Sequence, residues 1–154
     1  MSPLTGERQY INPEKTVSLI VPGTYHVQAM FAGEINSEED RYVYFLQPPD
    51  YVRGPEISIY TCVFSIKYFE TDLSLSEVEQ IFLNGLKDTS AATQVHVTIG
   101  TEEAIEVTVP VNDNPTVWFI RSTFVVKNGK AYEIKQAREF SPIEQEIFSS
   151  LQFE

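Results

Sequence analysis

The residues with the clearest chemical potential are basic ones, gathered in a short segment of an acidic chain. Five cations and one carboxylate occupy residues 121–138, so this segment has a net charge of +4, whereas the whole chain has a net charge of −11. The cations are Arg121, Lys127, Lys130, Lys135 and Arg138, and the acid is Glu133. Guanidinium and ammonium groups pair with carboxylates, so this segment is a candidate for binding an acidic partner.

The positions of these cations depend on a turn at Asn128-Gly129. Asn-Gly between two strand-like runs is the strongest short-range signal for a β-hairpin, because both residues tolerate a positive φ. A two-residue turn places Lys127 opposite Lys130, and like charges in that arrangement are mildly destabilising. Two explanations stay open: the lysines protect an exposed edge strand, which we favour, or they recognise an acidic partner. Recognition also predicts weak, salt-sensitive self-association through the acidic segment Glu34–Asp40.

A second candidate for partner binding is the proline-rich stretch "QPPDYVRGPE", Gln47–Glu56. Prolines prevent any regular element from crossing it, so it is expected to be a stiff connection. Tyr51 and Arg53 lie on it, and both residue types are enriched at protein interfaces. We interpret the stretch as a packed loop and keep partner binding as the alternative.

The other reactive groups are dispersed. His26 and His96 stand far apart in the sequence, without the clustered His, Cys or carboxylate spacing of a metal site. Cys62, the only cysteine, lies in "ISIYTCVFSI", which favours a buried and unreactive thiol. No phosphate-binding glycine loop and no nucleophile elbow occurs, so no cofactor, metal or catalytic residue is predicted.

Composition and charge restrict the classes of partner. The chain has 154 residues, 42% of them hydrophobic, which suits one domain with a core of its own. A net charge of −11 argues against nucleic acid or anionic lipid as the main partner. No apolar run approaches the roughly 20 residues of a membrane span. With no export signal at its start, the chain is expected in the cytoplasm, or in the periplasm or envelope if a leader was removed.

The elements that would position these residues are mostly strands. Alternating or β-branched runs predict strands at "TVSLIV", "YHVQAMFA", "RYVYFLQ", "ISIYTCVFSIKYF", "QVHVTI", "AIEVTVPV", "TVWFIRSTFVVK" and "KAYEIKQA". In "QVHVTI" the alternation points Val95, Val97 and Ile99 inward and His96 outward. The order of strands, helix, antiparallel strands and helix predicts an α+β fold.

Two helices are predicted, on opposite faces of the sheet. The first spans Ser74–Asp88, with a capping box from Ser76 and Glu79 or from Ser74 and Glu77, and Gly85 suggests close packing or an early end. The second spans Ser141–Leu151, with Ser141 as the cap, Pro142 in the first position and Glu144 completing the box. The packing faces are expected to comprise Leu75, Val78, Phe82 and Leu86 in the first helix, and Ile143, Ile147, Phe148 and Leu151 in the second.

The chain resembles the PsbP/Mog-like family, which includes the P subunit of photosystem II and Ran-binding Mog-type proteins. "VVKNGKAYEIKQA", followed by "IFSSLQF", resembles the closing hairpin, helix and short ending of that family, and "TVSLIVPGTYHV" is similar to its opening strand and proline turn. The resemblance implies a single domain over 1–154, built as an antiparallel sheet between helices in an α/β/α sandwich. It also implies that the chain binds other proteins without catalysis.

The resulting functional prediction is a non-catalytic protein-binding or assembly factor. Its candidate binding residues are Tyr51, Arg53, Arg121, Lys127, Lys130, Lys135 and Arg138. The predicted partner is another protein, with weak homo-oligomerisation as a further possibility. The alternatives are a carrier of a small ligand or metal, and a small enzyme that uses dispersed carboxylates and His96.

Overall fold

The computed structural model describes most of the chain in seven ranges: residues 7–12, 14–29, 41–49, 62–86, 92–113, 116–136 and 139–154. Within them the strands are β1 Arg8–Ile11, β2 Val17–Val21, β3 His26–Ala29, β4 Arg41–Gln47, β5 Phe64–Glu70, β6 Thr93–Ile99, β7 Glu102–Asp113, β8 Thr116–Lys127, β9 Lys130–Gln136 and β10 Gln152–Phe153. The helices are α1 Leu75–Asn84 and α2 Pro142–Ser149. The predicted mixture of antiparallel strands and two helices is confirmed.

Seven strands form one antiparallel sheet in the order β3-β4-β5-β9-β8-β7-β6. The hairpin at Asn128-Gly129 forms as predicted, with φ values of 51° and 76° and with Lys127 paired opposite Lys130. However, β8 also pairs with β7, and β9 also pairs with β5. The interpretation of these lysines as edge protection is therefore wrong, because both strands lie inside the sheet.

The other strands form a small sheet that the sequence did not indicate. Its order is β1-β2-β10, and both pairings are antiparallel. β10 joins residues from the end of the chain to β2 near its start, through the pairs Gln152 with Ser18 and Phe153 with Val17. Since Leu151 and Phe153 are buried, the short ending "SLQF" is part of the core rather than a loose tail.

The first helix, α1, has its cap at Ser74, the start of the predicted span, but it ends earlier than its periodicity predicted. Ser74 is the cap: its hydroxyl accepts from the Glu77 N–H at 3.2 Å, and the Glu77 carboxylate accepts from the Ser74 N–H at 3.0 Å. The alternative capping box is thus the correct one, and Ser76 lies within the first turn. Gly85 forms the C-terminal cap, so the helix stops there, and residues 87–88 lie outside the described ranges.

The second helix, α2, has the predicted start. The Ser141 hydroxyl accepts from the Glu144 N–H at 3.2 Å, and Pro142 occupies the first turn. Its packing face differs at one position, because Ile143 is 44% exposed while Ile147 and the carboxylate-bearing Glu144 are buried. Glu144 is stabilised by the hydroxyl of Tyr25, which donates to it over 3.0 Å. The prediction that Ile143 packs in the core is wrong.

Two apolar clusters lie against opposite faces of the large sheet. On the face that we call the α1 face, Phe124 and Ala131 pack with α1, and the rings of Phe82 and Phe124 are 4.9 Å apart. On the face that we call the α2 face, Val125, Tyr132 and Ile134 pack with β2, β10 and α2. Alternation therefore places each residue of β9, and each residue of β8 from Phe119 onward, on either the α1 face or the α2 face. In the described part of the chain, no helix is long and apolar enough to cross a membrane.

Candidate protein-binding surfaces

The structure tests the position of four of the seven predicted binding residues. Tyr51, Arg53 and Arg138 lie outside the described ranges, as does the acidic segment Glu34–Asp40. Arg121 and Lys127 lie on β8, whereas Lys130 and Lys135 lie on β9.

The four described cations do not share a surface. Three of them lie on the α2 face, because residues an even number of positions apart on a strand share a face. Arg121 and Lys127 share the face of Val125 on β8, and Lys130 shares the face of Tyr132 on β9. Lys135 follows Ile134 and therefore lies on the α1 face. A single basic patch made of these four residues is ruled out by the pleat of the sheet.

Lys127 is neutralised inside the molecule. Its ammonium nitrogen lies 3.0 Å from Glu102 Oε2, which it reaches because β7 and β8 pair in register. The hydrogen bond from Lys127 holds the pKa of the Glu102 carboxyl below its ordinary value, with a smaller contribution from the Thr101 hydroxyl. An acidic partner would compete with a carboxylate that is already in place.

Arg121 also has internal partners. Its guanidinium lies 3.6 Å from Glu106 and 3.6 Å from Glu139, and Nε donates to the Thr108 hydroxyl over 3.2 Å. Glu106 and Thr108 belong to the neighbouring strand β7. These contacts orient the arginine along the sheet, so its charge is shared with two carboxylates before any partner arrives.

Three polar side chains from different strands interact on the α1 face, and the sequence did not indicate that they would meet. Glu133 accepts from the Ser122 hydroxyl over 2.7 Å and lies 3.6 Å from the Lys67 ammonium. Ser122 is buried, and so is Ser65 on β5, the strand that pairs with the β9 strand of Glu133. The only signal available in the sequence was Glu133 itself, the single acid in a basic segment. The arrangement supplies a partner for a carboxylate that is largely shielded from water.

The dispersed reactive groups stay apart in the fold. His26 and His96 lie on β3 and β6, which are the two opposite edges of the large sheet. Cys62 is buried as predicted, and burial raises the pKa of its thiol to about 11, partly offset by a backbone hydrogen bond and, to a smaller extent, by the charge of Lys135. Among the described residues, no group of three or more His, Cys, Asp or Glu could hold a metal ion.

A shallow groove of about 190 Å³ lies between α2 and β2. Its apolar lining is formed by Ile20, Pro22, Ile143 and Ile147, and its acidic residues are Glu7 and Glu146. Ser150, just after α2, fixes this arrangement: its hydroxyl accepts from the Ile20 N–H at 2.8 Å and donates to the Ile147 carbonyl at 2.6 Å. Ile20 and Ile143 are 40% and 44% exposed, so the groove presents aliphatic surface to solvent.

The described end of the large sheet at β6 is also open. β6 pairs with β7 on one side, and no other described strand pairs with it. Val95 is 51% exposed, although alternation predicted that it would point into the core. It does share a face with Val97 and Ile99, but the core extends only under the end of the strand that carries Ile99. The prediction failed because alternation identifies the face of a residue and not what covers that face.

No protein-family model matches this sequence, and no curated protein matches it. Solved structures do. The chain is similar to cyanobacterial PsbP (CyanoP) from Synechocystis sp. PCC 6803, at 10% identity and a TM-score of 0.58, over 99% of this chain and 95% of that one. It is also similar to a protein from Bacteroides thetaiotaomicron VPI-5482, at 15% identity and a TM-score of 0.56 over 97% of this chain. This chain spans 49% of the length of that protein.

The fold is therefore PsbP-like, which confirms for the fold the resemblance found in the sequence. At identities this low, similarity in structure establishes the fold alone, and function has to be argued from particular surfaces.

Proposed function

We propose that the protein is a non-catalytic binding or assembly factor that docks a segment of another protein in the groove between α2 and β2. The observation that carries the proposal is the exposed aliphatic surface of Ile20 and Ile143, two residues of a groove that α2 and β2 build together. Adjacent exposed aliphatic side chains rimmed by polar residues are typical of protein-interaction sites. Ile11, which is also exposed, extends this surface along the outer face of the small sheet.

The size of the groove favours a side chain over an organic ligand. Pockets for drug-sized molecules have volumes of about 300–1,000 Å³. A groove of about 190 Å³ is smaller, and it lies between a helix and a strand. It suits one aliphatic anchor from a peptide segment, with flanking residues running over the rim. This distinguishes a protein-binding factor from a carrier of a small molecule.

The charge at the groove specifies the flanking residues of the partner. Glu7 and Glu146 are the charged residues that line it, and the protein as a whole carries a net charge of −11. Lys or Arg beside the anchor would be attracted by both carboxylates, whereas Asp or Glu would be repelled. The proposed ligand is therefore a segment with an aliphatic anchor and basic neighbours.

The arrangement of the described titratable groups supports a role without catalysis. Glu102, Glu106 and Glu133 are held in ion pairs with cations of the sheet, and Glu144 serves a helix cap. A nucleophile and a base within hydrogen-bonding distance at an open pocket would favour an enzyme instead. We also infer that the layers of the complete fold are those of an α/β/α sandwich, in which α2 and the small sheet together form one outer layer.

The proposal is tested by selecting peptides from a random displayed library on the intact protein and measuring their affinities by calorimetry. We expect enrichment of an aliphatic residue flanked by Lys or Arg. Burying the exposed part of an isoleucine contributes about 1 kcal/mol, so Ile20→Ser and Ile143→Ser are each expected to weaken binding about fivefold. Ile81→Ser is the matched control, because Ile81 is an exposed isoleucine on α1.

The charge of the groove is tested separately with Glu146→Lys, which offsets the charge of Glu7 and should abolish the enrichment of Lys and Arg beside the anchor. The proposal is overturned if selected peptides bind equally well to the Ile20→Ser, Ile143→Ser and Ile81→Ser variants. It is also overturned if the enriched peptides are acidic. Circular dichroism of each variant establishes that a loss of binding is not a loss of fold.

A further inference from the structure

The described sheets have four edge strands, and three of them are short. β1 and β3 have four residues each and β10 has two. β6 has seven residues, all of them paired with β7 in an unbroken register. Short length is one of the devices by which proteins prevent an edge from pairing with another chain, and β6 lacks it.

Within the described residues, β6 also lacks the other protective devices that its sequence and register could supply. Its sequence, "TQVHVTI", contains no Lys, Glu, Asp or Pro, and its register shows no bulge. Five of its residues are exposed, including Val95 at 51%. Such a strand, rich in β-branched residues, presents backbone donors and acceptors along an open edge.

We propose that β6 is the interface of a homodimer in which two copies of the chain pair antiparallel, edge to edge, and join their large sheets into one. Full overlap of the seven residues requires a twofold axis at His96, which then faces His96 of the second copy. The same register places Val95 opposite Val97 and Gln94 opposite Thr98. Each contact occurs twice, as an isologous interface requires. The proposal does not rest on the groove between α2 and β2.

The second copy is favoured as the occupant because the strand complements itself. Cross-strand pairs of β-branched residues stabilise a sheet, and the pairing of Val95 with Val97 supplies two of them. The edge offers no charge that would select a foreign strand. Because each copy has a net charge of −11, association is favoured where acidic residues do not meet, and β6 itself carries none.

Salt gives the dimer a distinctive behaviour. Each copy carries a net charge of −11, so the two copies repel each other. Among the described residues, the acidic ones nearest to the paired β6 strands lie on β7, and the two β7 strands would be separated by three strand spacings, about 14 Å. The Debye length is about 30 Å at 0.01 M salt and about 8 Å at 0.15 M, so salt screens this repulsion. Dimerisation is therefore expected to strengthen several-fold as salt is raised. Association through a basic surface and the acidic segment Glu34–Asp40 would weaken instead.

Sedimentation velocity of the full chain from about 10 µM to 1 mM tests the proposal, since an interface of one strand pair predicts a dissociation constant in this range. His96→Lys and His96→Glu each place like charges across the twofold axis, and each should weaken the dimer about tenfold or more. An equimolar mixture of the two variants places opposite charges there and should restore a dimer. Ile81→Lys, which adds the same charge at an exposed position of α1, should leave the dimer unchanged.

The proposal is overturned if the parent protein remains monomeric at 1 mM and 0.15 M salt. It is also overturned if a dimer forms but persists in His96→Lys, or if the mixture fails to restore it, because either result excludes pairing centred on His96. A foreign strand as the natural occupant would appear as a monomeric parent protein that binds a β-forming peptide along β6. Peptide selection on the groove is independent of these outcomes.

Discussion

Among the described glycines, Gly100 is the one at which an added carbon should have the largest effect on stability. It begins the two-residue turn between β6 and β7, where Ile99 pairs with Glu102, and its φ is +60°. A side chain at this φ costs about 1–2 kcal/mol. A Cβ would also lie 2.8 Å from the carbonyl oxygen of Leu151, and relieving such a contact with backbone costs about 1–2 kcal/mol more. We expect Gly100→Ala to lower the free energy of unfolding by about 2–4 kcal/mol.

The matched control is Gly129→Ala in the turn between β8 and β9. Gly129 has a φ of +76°, but the nearest atom to an added Cβ is the carbonyl oxygen of Thr71 at 3.9 Å. This variant should therefore lose only the conformational part, about 1–2 kcal/mol. Urea unfolding measures both, and the melting temperature of Gly100→Ala should fall by roughly 5–12 °C. Equal losses in the two variants would refute the close approach of the chain end to the turn after β6.

The remaining predictions concern side chains. A double-mutant cycle with Lys127→Met and Glu102→Gln should give a coupling of about 0.5–1 kcal/mol that decreases with salt, and no coupling would contradict the pair. The pKa of the Glu102 carboxyl is lower in the folded than in the unfolded protein, so the pair stabilises the fold above about pH 4.3, and this stabilisation is lost as the pH falls through the folded-state pKa. NMR titration should therefore show a higher pKa for Glu102 in Lys127→Met than in the parent protein. Cys62, whose burial raises its pKa to about 11, should react with a thiol reagent at pH 8 only after unfolding, and rapid labelling of folded protein would contradict its burial. Tyr25→Phe should cost about 1–2 kcal/mol in urea unfolding, since it removes a donor from the buried carboxylate of Glu144, and an unchanged midpoint would contradict that contact.

Features encoded within four consecutive residues were predictable from the sequence. The capping boxes at Ser74 and Ser141 and the turn at Asn128-Gly129 each depend on the chemistry of a few neighbouring positions. The sequence even contained two overlapping boxes for α1, and only the structure distinguishes them. The feature that identifies Ser74 as the cap is nevertheless local. Its backbone is extended, with φ −76° and ψ 166°, as a capping residue requires.

Features that depend on distant parts of the chain were not predictable. β9 is interior because β5, which lies 60 to 72 residues earlier in the chain, pairs with it from Phe64 with Gln136 to Glu70 with Lys130. β2 is in a separate sheet because β10 reaches it from the other end of the chain. Hydrophobic alternation predicts neither pairing, because it indicates which face of the sheet a side chain lies on and not which strand lies beside it.

The same distinction explains why the basic segment was a misleading guide to the binding surface. A cation is conspicuous in a sequence, but whether it is available depends on the register of the next strand, and here β7 brings Glu102 to Lys127 and Glu106 to Arg121. An edge that can accept another chain is inconspicuous for the opposite reason, because it is defined by the charges that it lacks. β6 has no charged residue, and this matters for binding only because β6 is the last strand of the described sheet. In an acidic protein, an uncharged edge is where a second copy can approach without bringing carboxylates together, so topology has to be known before charge can be interpreted.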